Sequence, residues 1–210
     1  MNIRVRVAAM LACFWLAVTP AAAVESVPPI AAQARQRMSD EPVIRGEFEQ
    51  RKTLKGFRNP LVSRGDFLVA RDRGVVWRTR EPFASSLAIT RDKLLSRQAD
   101  GTVVTRLNAR DEPGLRAINE MLFALVAADL QALAQRFRIE GELLDAVRWR
   151  LVLVPRDTAL SQWVTRIELE GDRYLRSVRL LESQGDASLI RFSQQTGAAV
   201  LTRDEDLRFD

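Results

Sequence analysis

The sequence predicts one mainly β domain with a few helices, arranged as a barrel or a sandwich. Three observations lead there. Apolar and polar residues alternate with a period of two from Ile44 onward, glycine-aspartate turns punctuate about ten such runs, and one long stretch of helical period interrupts them.

Ahead of the domain, Arg4 and Arg6 precede an apolar stretch from Val7 to Val18, and Pro20 is followed by the small-residue run Ala21-Ala22-Ala23. That order predicts a cleavable signal peptide over residues 1–23 and an exported, periplasmic domain over residues 24–210. The apolar run falls short of the ~20 residues that span a bilayer. Cys13, the only cysteine, lies inside this segment, where it is expected to be apolar filler and not a lipid-attachment site. No disulfide framework is therefore expected.

A short helix comes next. Pro28-Pro29 suits a first helical turn, Ile30, Ala31, Ala34 and Met38 recur at helical spacing, and Asp40 and Pro42 end the pattern. The period then changes to two: Ile44, Gly46, Phe48 and Gln50 alternate with Arg45, Glu47, Glu49 and Arg51, as in a strand with one dry face and one wet face. Further strands are expected over residues 63–70, 75–79, 87–90, 93–97 and 102–107, with turns at residues 71–74, Arg91-Asp92 and Asp100-Gly101.

From Leu115 to about Phe137 the period is helical, through Leu115, Ile118, Leu122, Leu125, Val126, Leu130, Leu133 and Phe137. Residues 121–128 are apolar all round, which suits either a buried core helix or a lid presenting apolar surface to a ligand cavity. Strands resume over residues 147–154, 163–170, 173–182 and 188–193, with Gly171-Asp172 and Gly185-Asp186 as turns.

Composition narrows the chemistry. The chain has no histidine, and its only cysteine is in the leader, so a serine-histidine triad, a cysteine nucleophile and a zinc site with the usual nitrogen or sulfur ligands are excluded. Neither a phosphate-binding glycine loop nor a cofactor is expected. Acidic groups such as Glu47 with Glu49, or Asp204 with Glu205 and Asp206, read as solvated strand or tail faces, and a carboxylate-only hydrolase is the remaining enzymatic alternative. The net charge of +5 becomes +3 once Arg4 and Arg6 are removed, and the basic residues are dispersed, so no nucleic acid is expected as a partner.

The segment Gly65-Asp66-Phe67-Leu68-Val69-Ala70-Arg71, followed by Trp77 and Pro82, resembles the second and third strands of the LolA family of outer-membrane lipoprotein carriers. Gly46-Glu47-Phe48-Glu49-Gln50-Arg51-Lys52 is similar to the strand before them in that family. The order of leader, helix, strands, mid-chain helix and strands agrees over nearly the whole mature chain. Residues 56–63 are closer to LolA-like relatives associated with export of specialised lipids such as aryl polyenes, and Lys93 to Arg97 lacks the aromatics that family strands often show there.

The resemblance implies an incomplete, strongly curved antiparallel β-barrel covered by an α-helical lid. It also implies a monomeric, non-enzymatic periplasmic carrier. Its cargo would be lipid, lipoprotein acyl chains or an aryl-polyene-like lipid, received from an inner-membrane donor and passed to an outer-membrane acceptor. The alternative is a module that senses lipid or lipoprotein without shuttling it, as in RseB-like sensors, whose additional domain is not expected in a chain of this length. Alternation places Phe48, Phe67, Val69, Trp77, Leu87, Ile89, Trp149 and Leu151 on apolar strand faces, and Leu122, Leu125 and Val126 on the helix. Each is a candidate for cargo binding or a plain core side chain. Arg71 matches a family arginine that holds the lid closed, although Asp72 stands where proline tends to follow, and the other reading is an exposed turn arginine.

Overall fold

The computed structural model describes residues 28–108, 124 and 129–210. The expected leader and Leu122, Leu125 and Val126 lie outside the described residues. Helix α1 spans Pro29–Arg37, and six strands follow as a meander: β1 (Val43–Thr53), β2 (Leu61–Ala70), β3 (Gly74–Glu81), β4 (Ser85–Ile89), β5 (Lys93–Gln98) and β6 (Val103–Asn108). Helix α2 (Leu130–Arg136) runs directly into β7 (Phe137–Leu143). Then come β8 (Trp149–Pro155), α3 (Thr158–Ser161), β9 (Val164–Gly171), β10 (Leu175–Glu182), β11 (Ala187–Ala198), α4 (Arg203–Asp206) and a closing 3-10 turn (Leu207–Phe209).

Among the described residues the eleven strands form one antiparallel sheet in the order β6-β5-β4-β3-β2-β1-β11-β10-β9-β8-β7. The first and last strands of this order do not pair, so the sheet is open: neither a closed barrel nor a two-sheet sandwich, but the incomplete barrel that the resemblance implies. One apolar cluster draws side chains from β1, β2, β3 and from β7 through β11, which meet as a single core because the sheet curls around them. Bulges between Arg45 and Glu47 and between Arg64 and Gly65 supply local bend and twist.

Aromatic rings lie flat over glycines where the sheet turns inward. Trp149 is paired with Gly171, and a β-carbon on Gly171 would sit 2.4 Å from the indole ring. Phe48 is likewise paired with Gly65, where a β-carbon would meet the Arg78 carbonyl oxygen at 1.9 Å. Glycine is required at both places by close approach and not by dihedral freedom.

The outer face carries a second, smaller cluster of Val43, Leu68, Ala70, Val76, Ala88 and Leu95, capped by the fully buried Phe209 of the C-terminal turn. Thr202 and Glu205 form a reciprocal capping box that starts α4 and delivers Phe209 to this patch. Elsewhere the outer face is laced with ion pairs, among them Arg64 to Glu49, Arg78 to Asp66 and Arg80 to Glu47.

Three expectations change. The helical period through Leu115 to Phe137 is not one helix across Asp129, whose backbone leaves the helical region (φ −76°, ψ 85°) and whose side chain accepts the Ala132 N–H to start α2 afresh. Phe137 is the first residue of a strand, β7, instead of the last turn of that helix. Glu205 is buried against Arg45 and is not a solvated tail residue.

Candidate functional site

Cross-strand register sorts the candidate residues. Directly opposed residues of antiparallel strands project to the same face. Ile89 opposes Val75, Leu87 opposes Trp77, Val75 opposes Val69, and Trp77 opposes Phe67. Phe67 opposes Gly46, Phe48 opposes Gly65 on β2 and Phe192 on β11, and Leu151 opposes Leu169. All eight strand candidates thus share the inner face of the sheet.

Their burial divides them into two groups. Trp149 and Leu151 are fully buried on β8, in the half of the inner face against which α1 and α2 pack. Ala31 and Ala34 are the α1 residues buried there, small enough for the helix to lie close on β7 and β8. The Trp149 indole N–H donates to the Asp172 carbonyl at 2.9 Å, which satisfies its one polar group. Ala124, described on its own between the strands, is also buried in this cluster.

The second group lies toward β1–β4 and is aromatic. Phe48 stacks on Trp77 with centroids 3.8 Å apart, Phe67 meets Phe192 edge-on at 5.1 Å, and Trp77 meets Phe192 edge-on at 6.1 Å. Phe48, Phe67 and Val69 are buried, as is Ile89 at the β4 end, whereas Trp77 and Leu87 keep part of their surface open. Phe192 and Ile44 belong to this face but were absent from the candidates read in the sequence. The alternation of Ile190 and Phe192 along β11 carries the signal that would have found Phe192.

Over this face runs the short strap between α1 and β1. The Arg71 guanidinium donates to the Ser39 carbonyl oxygen at 2.9 Å and approaches Asp40 at 3.7 Å. On the other side, the Ser39 N–H donates to the Arg173 carbonyl at 2.7 Å, and Arg173 pairs with Glu41 at 2.5 Å. Arg37 at the end of α1 donates to the carbonyls of Asp145 and Arg148, at 2.7 and 2.9 Å. The strap is thereby tied to three separate turns at one end of the sheet. Arg35, and to a lesser degree Arg71, hold the Asp40 carboxyl below the usual carboxylate range.

Beneath the strap is a pocket of about 20 Å³, lined by Met38, Ile44, Phe67, Val69, Arg71 and Phe192 among others. That is room for a single water, whereas small-molecule sites run to ~300–1,000 Å³. A larger hollow of about 370 Å³ lies outside, between Asp72, Arg73, Arg91, Asp92, Lys93 and the C-terminal Phe209 and Asp210. Its lining is charged and open to water, the wrong chemistry for a hydrocarbon. Among the described residues there is no group of histidine, cysteine or carboxylate side chains placed to hold a metal, and no helix long and apolar enough to cross a membrane.

Residues 42–205 match the family profile described as outer membrane lipoprotein carrier protein LolA. Among solved structures, an outer membrane lipoprotein-sorting protein domain from Vibrio parahaemolyticus is similar at 11% identity and a TM-score of 0.45, over 84% of this chain and 94% of that one. A LolA superfamily protein from Nitrosomonas europaea is similar at 9% identity and a TM-score of 0.44, over 85% and 98%. The MucA/MucB complex of Pseudomonas aeruginosa is similar at 16% identity and a TM-score of 0.43, over 84% of this chain and 60% of that one. No curated protein matches.

Proposed function

The chain belongs to the LolA family of outer membrane lipoprotein carriers, and from that premise we propose that it is a periplasmic, non-enzymatic carrier of lipid or of lipoprotein acyl chains. In this reading the cargo lies against the inner face of the sheet and is delivered toward the outer membrane.

The observation that carries the reading is the continuity of the inner face. Apolar side chains run from Ile89 on β4 to Ile139 on β7, and the packing of α1 and α2 falls on the β7–β8 side of it. An acyl chain of about fifteen carbons costs on the order of 12 kcal/mol to leave in water, at ~0.8 kcal/mol per methylene, and such a face can take up that surface without directional bonds. Non-directional contact also lets cargo leave.

The pocket beneath the strap leaves about 20 Å³ free, so cargo does not fit there with the strap in this position. Cargo enters when the helical cover and strap move off the aromatic group, exchanging protein apolar contacts for cargo apolar contacts. Phe48, Phe67, Val69, Trp77, Leu87 and Ile89 are the strand residues proposed to receive it, with Trp149 and Leu151 as the floor of the covered half, and Leu122, Leu125 and Val126 are proposed as further cargo contacts. Arg71 is the proposed latch, because it bonds the strap and lines the pocket at once. Residues 1–23 are proposed to direct export and to be removed.

The test is a reconstituted transfer assay. Purified protein loaded with fluorescent lipid should pass it to acceptor vesicles. Tight retention without exchange would favour a sensing module instead.

A further inference from the structure

The strongly exposed aromatic side chains among the described residues are Phe83 (83%), Phe57 and Trp163 (both 69%). They sit on three different connections, yet the topology brings them to one end of the sheet. Phe57 is in the β1–β2 turn and Phe83 in the β3–β4 turn, which an antiparallel meander places at the same end. Trp163 precedes β9, and its carbonyl accepts the Ser183 N–H at 3.1 Å, beside the β10–β11 turn. That turn is in turn fixed to the β1–β2 turn by the Lys55 N–H donating to Asp186 at 2.9 Å. Leu61, 62% exposed at the start of β2, adds to the same rim. It is the end opposite the Arg71 strap, because β2 runs from Leu61 at the rim to Ala70 beside Arg71.

We propose that this rim docks on an anionic lipid bilayer, with Phe57, Phe83 and Trp163 entering the interfacial layer. Aromatic side chains partition to the headgroup region, and lysine or arginine beside them contacts anionic headgroups while its stem stays in apolar surroundings. The turn sequence Lys55-Gly56-Phe57-Arg58 sets a cation on each side of the exposed ring. Lys55, Arg58 and Arg97 make no ion pair among the described residues. Of the acids at this end, Asp100 and Asp157 accept backbone N–H groups of their own turns at 2.8 and 2.6 Å, Asp186 accepts that of Lys55, and Glu182 pairs with Lys52 at 3.1 Å, while the largely exposed Glu81 lies 3.6 Å from Arg64. Neighbouring connections along the rim are two strands apart, ~10 Å at the usual strand spacing, so the rings contact the bilayer as separate anchors along an arc. A protein partner would be favoured by a continuous apolar groove, and three isolated tips do not make one.

The test is flotation of purified protein with vesicles of phosphatidylethanolamine and phosphatidylglycerol (7:3), against vesicles of phosphatidylcholine alone. The expected result is flotation with the anionic vesicles, reduced at least tenfold in the triple variant F57S/F83S/W163S and in K55E/R58E, with melting temperatures unchanged because these side chains are exposed. Absence of flotation by the wild-type protein, or equal flotation by both variants, overturns the proposal. So does a photo-crosslinker at position 57 that captures an envelope protein and no lipid. Docking is separable from carriage: protein that floats but holds no lipid would keep the rim and remove the carrier reading, and soluble protein loaded with lipid that never floats would do the reverse.

Discussion

Arg71 donates from its guanidinium to the Ser39 carbonyl oxygen, two residues beyond the end of α1, at 2.9 Å. It follows directly on β2, so one side chain joins the sheet to the strap that covers the inner face. Arginine suits this position because its fork holds a carbonyl and a carboxylate together, here Ser39 and Asp40. The hydrogen bond is part-buried, whereas the Asp40 pair is largely in water and adds little.

Replacing Arg71 by leucine is expected to leave the fold intact, since 40% of its side chain is exposed, while cargo still binds. Delivery to acceptor vesicles should slow severalfold. Transfer at the wild-type rate would remove Arg71 from the mechanism.

Trp77 is only partly covered, though Phe48 stacks on it and Phe67 and Phe192 flank it. Trp77→Ala should therefore weaken lipid binding by about tenfold, near 1.4 kcal/mol, with a stability loss below the ~3–5 kcal/mol typical of a fully buried tryptophan. Calorimetric titration with a lysolipid, alongside denaturant unfolding, separates the two effects.

Gly171→Ala would push a methyl group to within 2.4 Å of the Trp149 ring and 2.5 Å of the Tyr174 carbonyl oxygen. A destabilisation of about 2 kcal/mol is expected in urea unfolding, in the range of overpacked cores. An unchanged midpoint would mean that the glycine is not what lets the indole lie on the sheet.

The Arg45 guanidinium beside Glu205 brings that carboxyl from about 4.5 down to about 2. A carboxyl depressed in the folded state contributes its full stability above its unfolded value and loses it as pH falls through the folded one. The C-terminal cover should accordingly weaken between about pH 4.5 and about pH 2. Glu205→Gln should cost about 2 kcal/mol at neutral pH and abolish that part of the acid dependence, measured as denaturation midpoint against pH. An acid profile identical to wild type would show that the pair does not hold the cover.

The strands β1–β6 are legible because one dry face and one wet face force alternation, and glycine or aspartate marks every turn but the one between β3 and β4, which Pro82 marks. β7 was hidden by continuity. Leu130 to Phe137 keeps a helical period up to the junction, and only the following alternation, with Ile139 buried between exposed Arg138 and Glu140, betrays the strand. The C-terminal cover also leaves a signal in the sequence, although its run of acids resembles a solvated tail: Thr202 with Glu205 is a capping-box spacing, and Phe209 lies just beyond it. What spacing could not reveal is pairing at a distance. Phe192 joins the aromatic group because β11 lies beside β1, a neighbour more than a hundred residues away in sequence. The partners of Arg71 likewise depend on where the strap crosses.

The most direct test of carriage is mass spectrometry of lipids extracted from the protein purified from its native periplasm, compared with the Trp77→Glu variant purified in the same way. The expected result is a defined lipid or acylated species near one per protein in the wild type, lost in the variant, whose carboxylate beside Phe48 would have to be stripped of water by bound cargo. Recovery of no lipid above the level of an unrelated periplasmic protein, or of the same amount from a folded Trp77→Glu variant, would contradict the assignment of the inner face as the cargo site.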